Sequence, residues 1–343
     1  MTLMRHGLLV TGVLCMALSA TDTVMAQKLV IAHRGASAYL PEHTLEAKAM
    51  AYAMGADYVE QDVVMTRDDQ LIVLHDITLE RTTDVASRFP GRARSDGSFY
   101  AVDFDLAEIR QLRVNEGASQ RSGERRAIYP ERFPLDKSAF RINTLSEEIE
   151  MVQGLNRSTG RNVGIYPEVK SPAFHRAEGK DLSTALLTTL KQYGYTSKQD
   201  LVFVQTFEFD ELKIIHDKIL PALGIDLNLV QLMGGEEGYE WMLTAQGMSE
   251  LAQYADGIGP DKSMIIEQGN SGADPVISDL VQLAHANGLQ VHPYTFRADP
   301  GQVPAYAADF DAMLNLFYFQ ADVDGVFTDF PDRAVNFLRS HRR

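Results

Sequence analysis

Four short groups of residues carry the chemistry available to this chain: His33-Arg34-Gly35, Glu60-Gln61-Asp62, His75-Asp76 and Glu168-Val169-Lys170. Each lies in, or at the end of, an apolar run that reads as a strand. Together they supply imidazoles, carboxylates and cations, an inventory suited to holding a metal ion and acting on a phosphate ester. Glu60 and Asp62 stand two residues apart, as do Glu168 and Lys170, so within each pair both side chains leave one face of a strand. Three carboxylates turned into one space repel each other unless a cation sits among them. Oxygen donors, without cysteine or a helical histidine pair, select Ca2+ or Mg2+ over zinc.

A structural reading competes with this one. Glu60, Asp62 and Glu168 could form a buried ion-pair network with Arg34 and Lys170, and a single histidine is more often a hydrogen-bonded core residue. The second point weakens because His33 and His75 each border a charged residue, Arg34 and Asp76, at an expected strand end. In a phosphodiester hydrolase the carboxylate triad supplies the metal, and Arg34 and Lys170 balance developing charge. His33 and His75 share the tasks of acid and base. Which does which is left open by the sequence.

The elements that must position these groups alternate. Strand-type runs at Leu29–Arg34, Tyr58–Met65, Asn162–Lys170, Leu201–Phe207, Asn228–Leu232, Gly257–Pro260, Gln290–Phe296 and Gly325–Asp329 are separated by helical patterns. Among the latter are His43–Met54, Ser183–Gln192, Phe209–Leu220 and Ile277–Asn287. Eight such runs predict an α/β fold, a single (β/α)8 TIM-type barrel with its site at the C-terminal strand ends. A ninth run, Leu71–Asp76, follows too soon for a parallel crossover and must fold back as an antiparallel hairpin, bringing His75 beside Glu60 and Asp62.

From about 78 to 143 the alternation fails. This stretch is too long for an ordinary βα loop. It is expected to be an inserted subdomain after the second-strand hairpin, with a helix at Leu106–Leu112. Phe89, Phe99, Tyr100, Phe104 and Tyr129 give it apolar material to pack. Its arginine-rich part, Arg121 to Arg132, is interrupted by Glu124 and Glu131 and reads as a solvated loop.

Residues 1–26 carry Arg5, an apolar core from Leu8 to Leu18 and the small-residue exit Val24-Met25-Ala26, the pattern of a cleavable secretory signal. The barrel domain then comprises residues 27–343, and export to the bacterial periplasm is expected. The apolar core is short for a bilayer span, so no stable membrane anchor is expected. Cys15, the one cysteine, lies in the segment to be removed, and Leu14 before it argues against lipidation. Net charge is −15, which argues against a nucleic-acid partner or an anionic membrane surface. A homodimer stays open.

The motifs resemble those of the glycerophosphodiester phosphodiesterase family, especially its periplasmic bacterial branch. They are His33-Arg34-Gly35-Ala36, Pro41-Glu42-His43-Thr44, Glu60-Gln61-Asp62, Leu74-His75-Asp76, Tyr166-Pro167-Glu168-Val169-Lys170, Val291-His292-Pro293-Tyr294-Thr295 and Phe327-Thr328-Asp329-Phe330-Pro331. The resemblance implies a TIM-type barrel with an inserted subdomain, hydrolysing deacylated phospholipids (small-molecule glycerophosphodiesters) to sn-glycerol 3-phosphate and an alcohol. It implies that His33 and His75 are the acid–base pair, that Glu60, Asp62 and Glu168 bind calcium, and that Arg34 holds phosphate. Lys170 and Glu42 fall in motifs near the site, and Gln205, Phe207 and Tyr294 would line the substrate pocket. Many relatives carry Asn in place of His43 and Trp in place of Tyr294, differences that bear on head-group preference.

Three alternatives are weighed. A phospholipase D-like lyase on the same barrel would favour a membrane-docking surface, which is not evident. A glycoside hydrolase would use paired carboxylates without needing two histidines and Arg34. An exported binding protein or adhesin would have no use for an acid–base couple beside a metal triad.

Overall fold

A computed structural model describes residues 27–121, 124–234, 238–269 and 274–341 of the 343. The signal-type segment, Cys15 and part of the Arg121–Arg132 stretch lie outside the described residues.

Eight parallel strands form a nearly closed barrel. In chain order they are β1 (Leu29–Ala32), β2 (Tyr58–Met65), β6 (Gly164–Val169), β7 (Phe203–Thr206), β8 (Asn228–Met233), β9 (Gly257–Pro260), β12 (Gln290–Val291) and β13 (Gly325–Thr328). Neighbours run β12-β9-β8-β7-β6-β2-β1-β13. A parallel bridge between Phe296 and Thr328 joins the two ends of that order. The seventh run, Gln290–Phe296, is shorter than expected because Pro293, which has no N–H to donate, interrupts it. Pairing resumes only as single bridges at Tyr294 and Phe296.

All eight residues of β2 are buried, as required of a wall strand covered on both sides. Val59 and Val63 join the main core beneath the helices, whereas Tyr58 turns inward. There it packs with Ile31, Tyr166, Phe203, Val230 and Phe327 in a second, inner cluster. Tyr166 lies 4.9 Å from both Phe203 and Phe327, ring centre to ring centre. This plug fills the lumen. A Cβ at Gly164 would fall 2.2 Å from the Tyr58 ring, so glycine is what lets the plug close.

The hairpin after β2 is antiparallel: β3 (Leu71–Val73) pairs Val63 with Val73 and Met65 with Leu71. The segment that follows builds a smaller core from Leu79, Val85, Phe99, Phe104, Ile109, Leu112, Val114 and Phe140, packed on Val64, Ile72 and Leu74 of the hairpin. Its expected helix is one turn, Leu106–Ile109. It also contains a small hairpin, β4 (Ala118–Arg121) with β5 (Glu124–Ala127), that alternation did not reveal.

Two helices differ from expectation. The Phe209 helix continues past Leu220 to Leu223 through a wide π-turn at Ile215–Ile219. Pro221 cannot donate back to the preceding turn, and the widened turn accommodates it. Val276–Ile277 forms β11, paired with β10 (Ile266–Glu267), and the helix starts only at Leu280. Among the described residues, no helix is long and apolar enough to cross a membrane.

Candidate active site

Strand register assembles the acidic cluster. Asp62 of β2 lies directly opposite Glu168 of β6, which in turn faces Gln205 of β7. One carboxylate oxygen from each of Glu60, Asp62 and Glu168 lies within 4.8 Å of the others, and all three residues are buried. The aromatic plug below them makes their surroundings apolar. Burial, with Asp62 beside it, raises the Glu60 carboxyl well above its usual range, and burial raises Glu168 to about 8. Burial works on Asp62 in the same direction, but Lys170 and His43 overcome it and hold that carboxyl low. Lys170 Nζ is 2.9 Å from Glu168 and 3.9 Å from Asp62. Asp62 Oδ1 is buried without a hydrogen-bond partner. The cluster is short of positive charge and rich in oxygen donors, which fits a hard divalent cation.

The chain turns sharply after β1 to reach this cluster. Arg34 (φ 58°) and Gly35 (φ 92°) both take the left-handed conformation. A Cβ at Gly35 would lie 2.8 Å from the Ala47 backbone, so only glycine fits there. The turn aims the Arg34 amide at Glu60 Oε2, 2.6 Å away, and its carbonyl accepts from the His43 amide at 2.9 Å. Thr44 then caps the helix Leu45–Met54 by accepting from the Ala47 amide. His43, also left-handed (φ 61°), sends Nε2 to Asp62 Oδ2 at 2.7 Å.

Two histidines flank the cluster, each tied to an aspartate through Nδ1. His33 pairs with Asp329 at 2.6 Å, across neighbouring strands β1 and β13. His75 pairs with Asp76 at 2.5 Å, just beyond the hairpin. In both rings Nε2 is the nitrogen left for other chemistry. Burial lowers His33 to about 4, with Arg34 adding to the effect and Asp329 opposing it. Burial also lowers His75, helped by Arg34 and Lys170. In both rings burial favours the neutral imidazole, and the paired aspartate favours the imidazolium.

A cavity of about 220 Å³ gathers His33, Arg34, Glu60, Asp62, His75, Glu168, Lys170, Gln205, Phe207 and Tyr294, which are all but one of the residues singled out in the sequence. Phe207 and Tyr294 meet edge to face at 5.9 Å, and Lys170 Nζ stands 5.7 Å from the Phe207 ring centre. Glu42, the exception, lies to one side. It accepts from Arg34 Nη1 at 3.1 Å and Arg81 Nη2 at 2.5 Å, clamping the two guanidinium groups.

Sequence reasoning assigned no role to several residues that complete the site. Asp329 stood inside a quoted motif, and its closeness to His33 follows once the last strand is placed beside the first. Arg132 gave no signal. Although it ends a stretch expected to be solvated, its side chain is 5% exposed and reaches Asp299 at 2.6 Å and Asp329 at 2.7 Å. Arg297 also donates to Asp329, at 2.8 Å.

A (β/α)8 barrel that presents a carboxylate triad between two histidine–aspartate pairs is the architecture of a hydrolase acting on phosphate esters. The profile of the glycerophosphoryl diester phosphodiesterase family matches residues 33–333, and the chain belongs to that family. A Haemophilus influenzae glycerophosphodiester phosphodiesterase is 45% identical over 337 residues, covering 93% of this chain and 92% of its own. The fold superposes on a Silicibacter pomeroyi crystal structure with a TM-score of 0.68, at 22% identity and covering 92% and 94% of the two chains. It also superposes on an Oleispira antarctica phosphodiesterase solved with its product sn-glycerol-3-phosphate, with a TM-score of 0.61 at 21% identity, covering 91% and 97%. The enzymatic activity is that of a glycerophosphodiester phosphodiesterase.

Proposed function

We propose that this enzyme releases sn-glycerol 3-phosphate and an alcohol from glycerophosphodiesters with the help of a divalent cation, Ca2+ foremost and Mg2+ second, held by Glu60, Asp62 and Glu168. His33 and His75 are the proton carriers of the reaction. The observation that carries this reading is that both histidines, each ring oriented through Nδ1 by an aspartate, line the cavity that contains the triad.

When bound, the cation supplies positive charge at a phosphoryl oxygen and at the nucleophile. Arg34, fixed by Glu42, presents its guanidinium to the phosphate, and Lys170 adds a second cation. One neutral imidazole takes the proton of the attacking hydroxyl at Nε2, and its aspartate stabilises the imidazolium that forms. The other enters as an imidazolium stabilised by its aspartate and delivers its Nε2 proton to the alcohol oxygen as the P–O bond breaks. Phe207 and Tyr294 shape the glycerol side and exclude water.

Incubation of purified protein with glycerophosphocholine and calcium, with product coupled to glycerol-3-phosphate dehydrogenase, tests this reading. Stoichiometric glycerol 3-phosphate is expected. A dissociation constant without product would point instead to a binding protein. We also infer export by cleavage after Ala26, supported by the Arg5, Leu8–Leu18 and Val24–Ala26 pattern. A mature periplasmic N-terminus at Gln27, read by Edman degradation or mass spectrometry, is the expected result.

A further inference from the structure

Beside the catalytic cavity lies a second chamber of about 280 Å³, walled in part by the inserted segment. His33, Arg34, His75 and Arg297 line both chambers. A phosphodiester has two arms. With the phosphorus where these shared residues meet, one arm enters each chamber. The first contains the triad, Lys170, Phe207 and Tyr294. The second adds Arg81, Glu116, Ile128, Tyr129 and Arg132.

The charges of the second chamber are uneven. Arg34 is paired with Glu42, and Arg81 with Glu42 and Asp76. Arg132 is paired with Asp299 and Asp329, and Arg297 with Asp329. Arg34 apart, which faces the phosphate, its arginines thus offer no unspent charge to a further anionic group. Glu116 is different. It is 4% exposed, its Oε2 makes no hydrogen bond, and among the described residues it has no ion-pair partner within 4.0 Å. A buried carboxyl in that state gains from any cation brought to it. Burial raises it to about 8, against the pull of Arg132, which is the condition of a carboxyl waiting for a counter-charge. Ile128 and Tyr129 beside it offer apolar surface to short methylene or methyl groups.

We propose that the second chamber receives the alcohol half of the substrate, and that Glu116 gives the enzyme a preference for alcohols bearing an ammonium group over uncharged ones. The assignment rests on glycerophosphodiester hydrolysis as the reaction, and on neither the metal nor the division of labour between the histidines. Glu116 acts on specificity and does not touch the reacting atoms.

The test compares kcat/KM for glycerophosphocholine with that for glycerophosphoglycerol, in the wild type and in Glu116→Gln. The ratio cancels any loss of folded protein. It is expected to fall at least about tenfold, the scale of one charge-assisted contact, mainly through KM, and Glu116→Asp should restore part of it. A second arm needs no turnover: choline binding in the presence of sn-glycerol 3-phosphate, followed by calorimetry, should weaken by about the same factor in Glu116→Gln. A ratio within about twofold of wild type, or choline binding equal in both proteins, would overturn the assignment. Lost turnover with a Glu116-dependent choline site would count against the reaction and leave the chamber's role standing.

Discussion

The barrel wall and the inserted segment build the two sides of one cavity by different physical means. On the barrel side, backbone pairing does the placing. Asp62 faces Glu168 because β2 and β6 are in register, and a one-residue slip of β2 would send its two carboxylates, Glu60 and Asp62, into the helix layer. On the inserted side, ion pairs do it. Arg81 is held by Glu42 and Asp76, and Arg132 is locked to Asp299 and Asp329. Register is shared by a whole sheet and tolerates the loss of one side chain. An ion-pair seam depends on each partner, and losing one leaves the other buried and uncompensated. Damage to the barrel side should therefore appear in chemistry, and damage to the seam in stability and substrate fit.

The largest expected effect is on the barrel side. Asp62→Asn and Glu168→Gln should abolish calcium binding by calorimetry and measurable turnover with it, while circular dichroism stays that of the folded barrel. Next, His33→Ala and His75→Ala should each cost about 10²–10⁴-fold in kcat and leave calcium affinity close to wild type. Loss of calcium binding in either would contradict the separation of proton transfer from ligation.

The two aspartates sharpen the comparison. Asp329→Asn and Asp76→Asn should each lower kcat roughly 10–100-fold by loosening the imidazole they orient. Asp329→Asn should also destabilise the fold, because Arg132 and Arg297 both lean on it. Arg132→Met tests the seam itself. A loss of about 3 kcal/mol in urea unfolding is expected, with calcium affinity unchanged.

The smallest effect is on pH. Glu168 binds its proton more tightly in the folded chain, up to about 8, than an ordinary glutamate does. Without an ion, ionising it counts against the folded state as pH rises from the ordinary glutamate value toward 8. Calcium must displace that proton, so its affinity and its stabilising effect on Tm should both increase from pH 6 to pH 8. A pH-independent affinity would show that the triad is already ionised.

What was legible in the sequence follows the same division. Strand alternation exposes a parallel barrel, and a spacing of two within a strand puts Glu60 with Asp62 on one face. The five-residue gap before Leu71 forces the hairpin that brings His75 in. None of this needs long-range knowledge beyond the order of strands. The inserted segment has no period. Its one-turn helix and small hairpin are too short to show one, and the burial of Arg132 depends on Asp299 and Asp329, far along the chain, which no local pattern announces. Glu116 is silent for the same reason. Pro293 and Pro221 are intermediate cases: both prolines were visible, but the broken strand and the widened helical turn they produce depend on neighbours that keep the chain on course.

Glycerol 3-phosphate release from glycerophosphocholine, followed continuously in excess chelator and then after calcium is restored, tests the central claim most directly. The account predicts that turnover ceases with the chelator and returns to its starting rate with Ca2+. Undiminished release in excess chelator would contradict it.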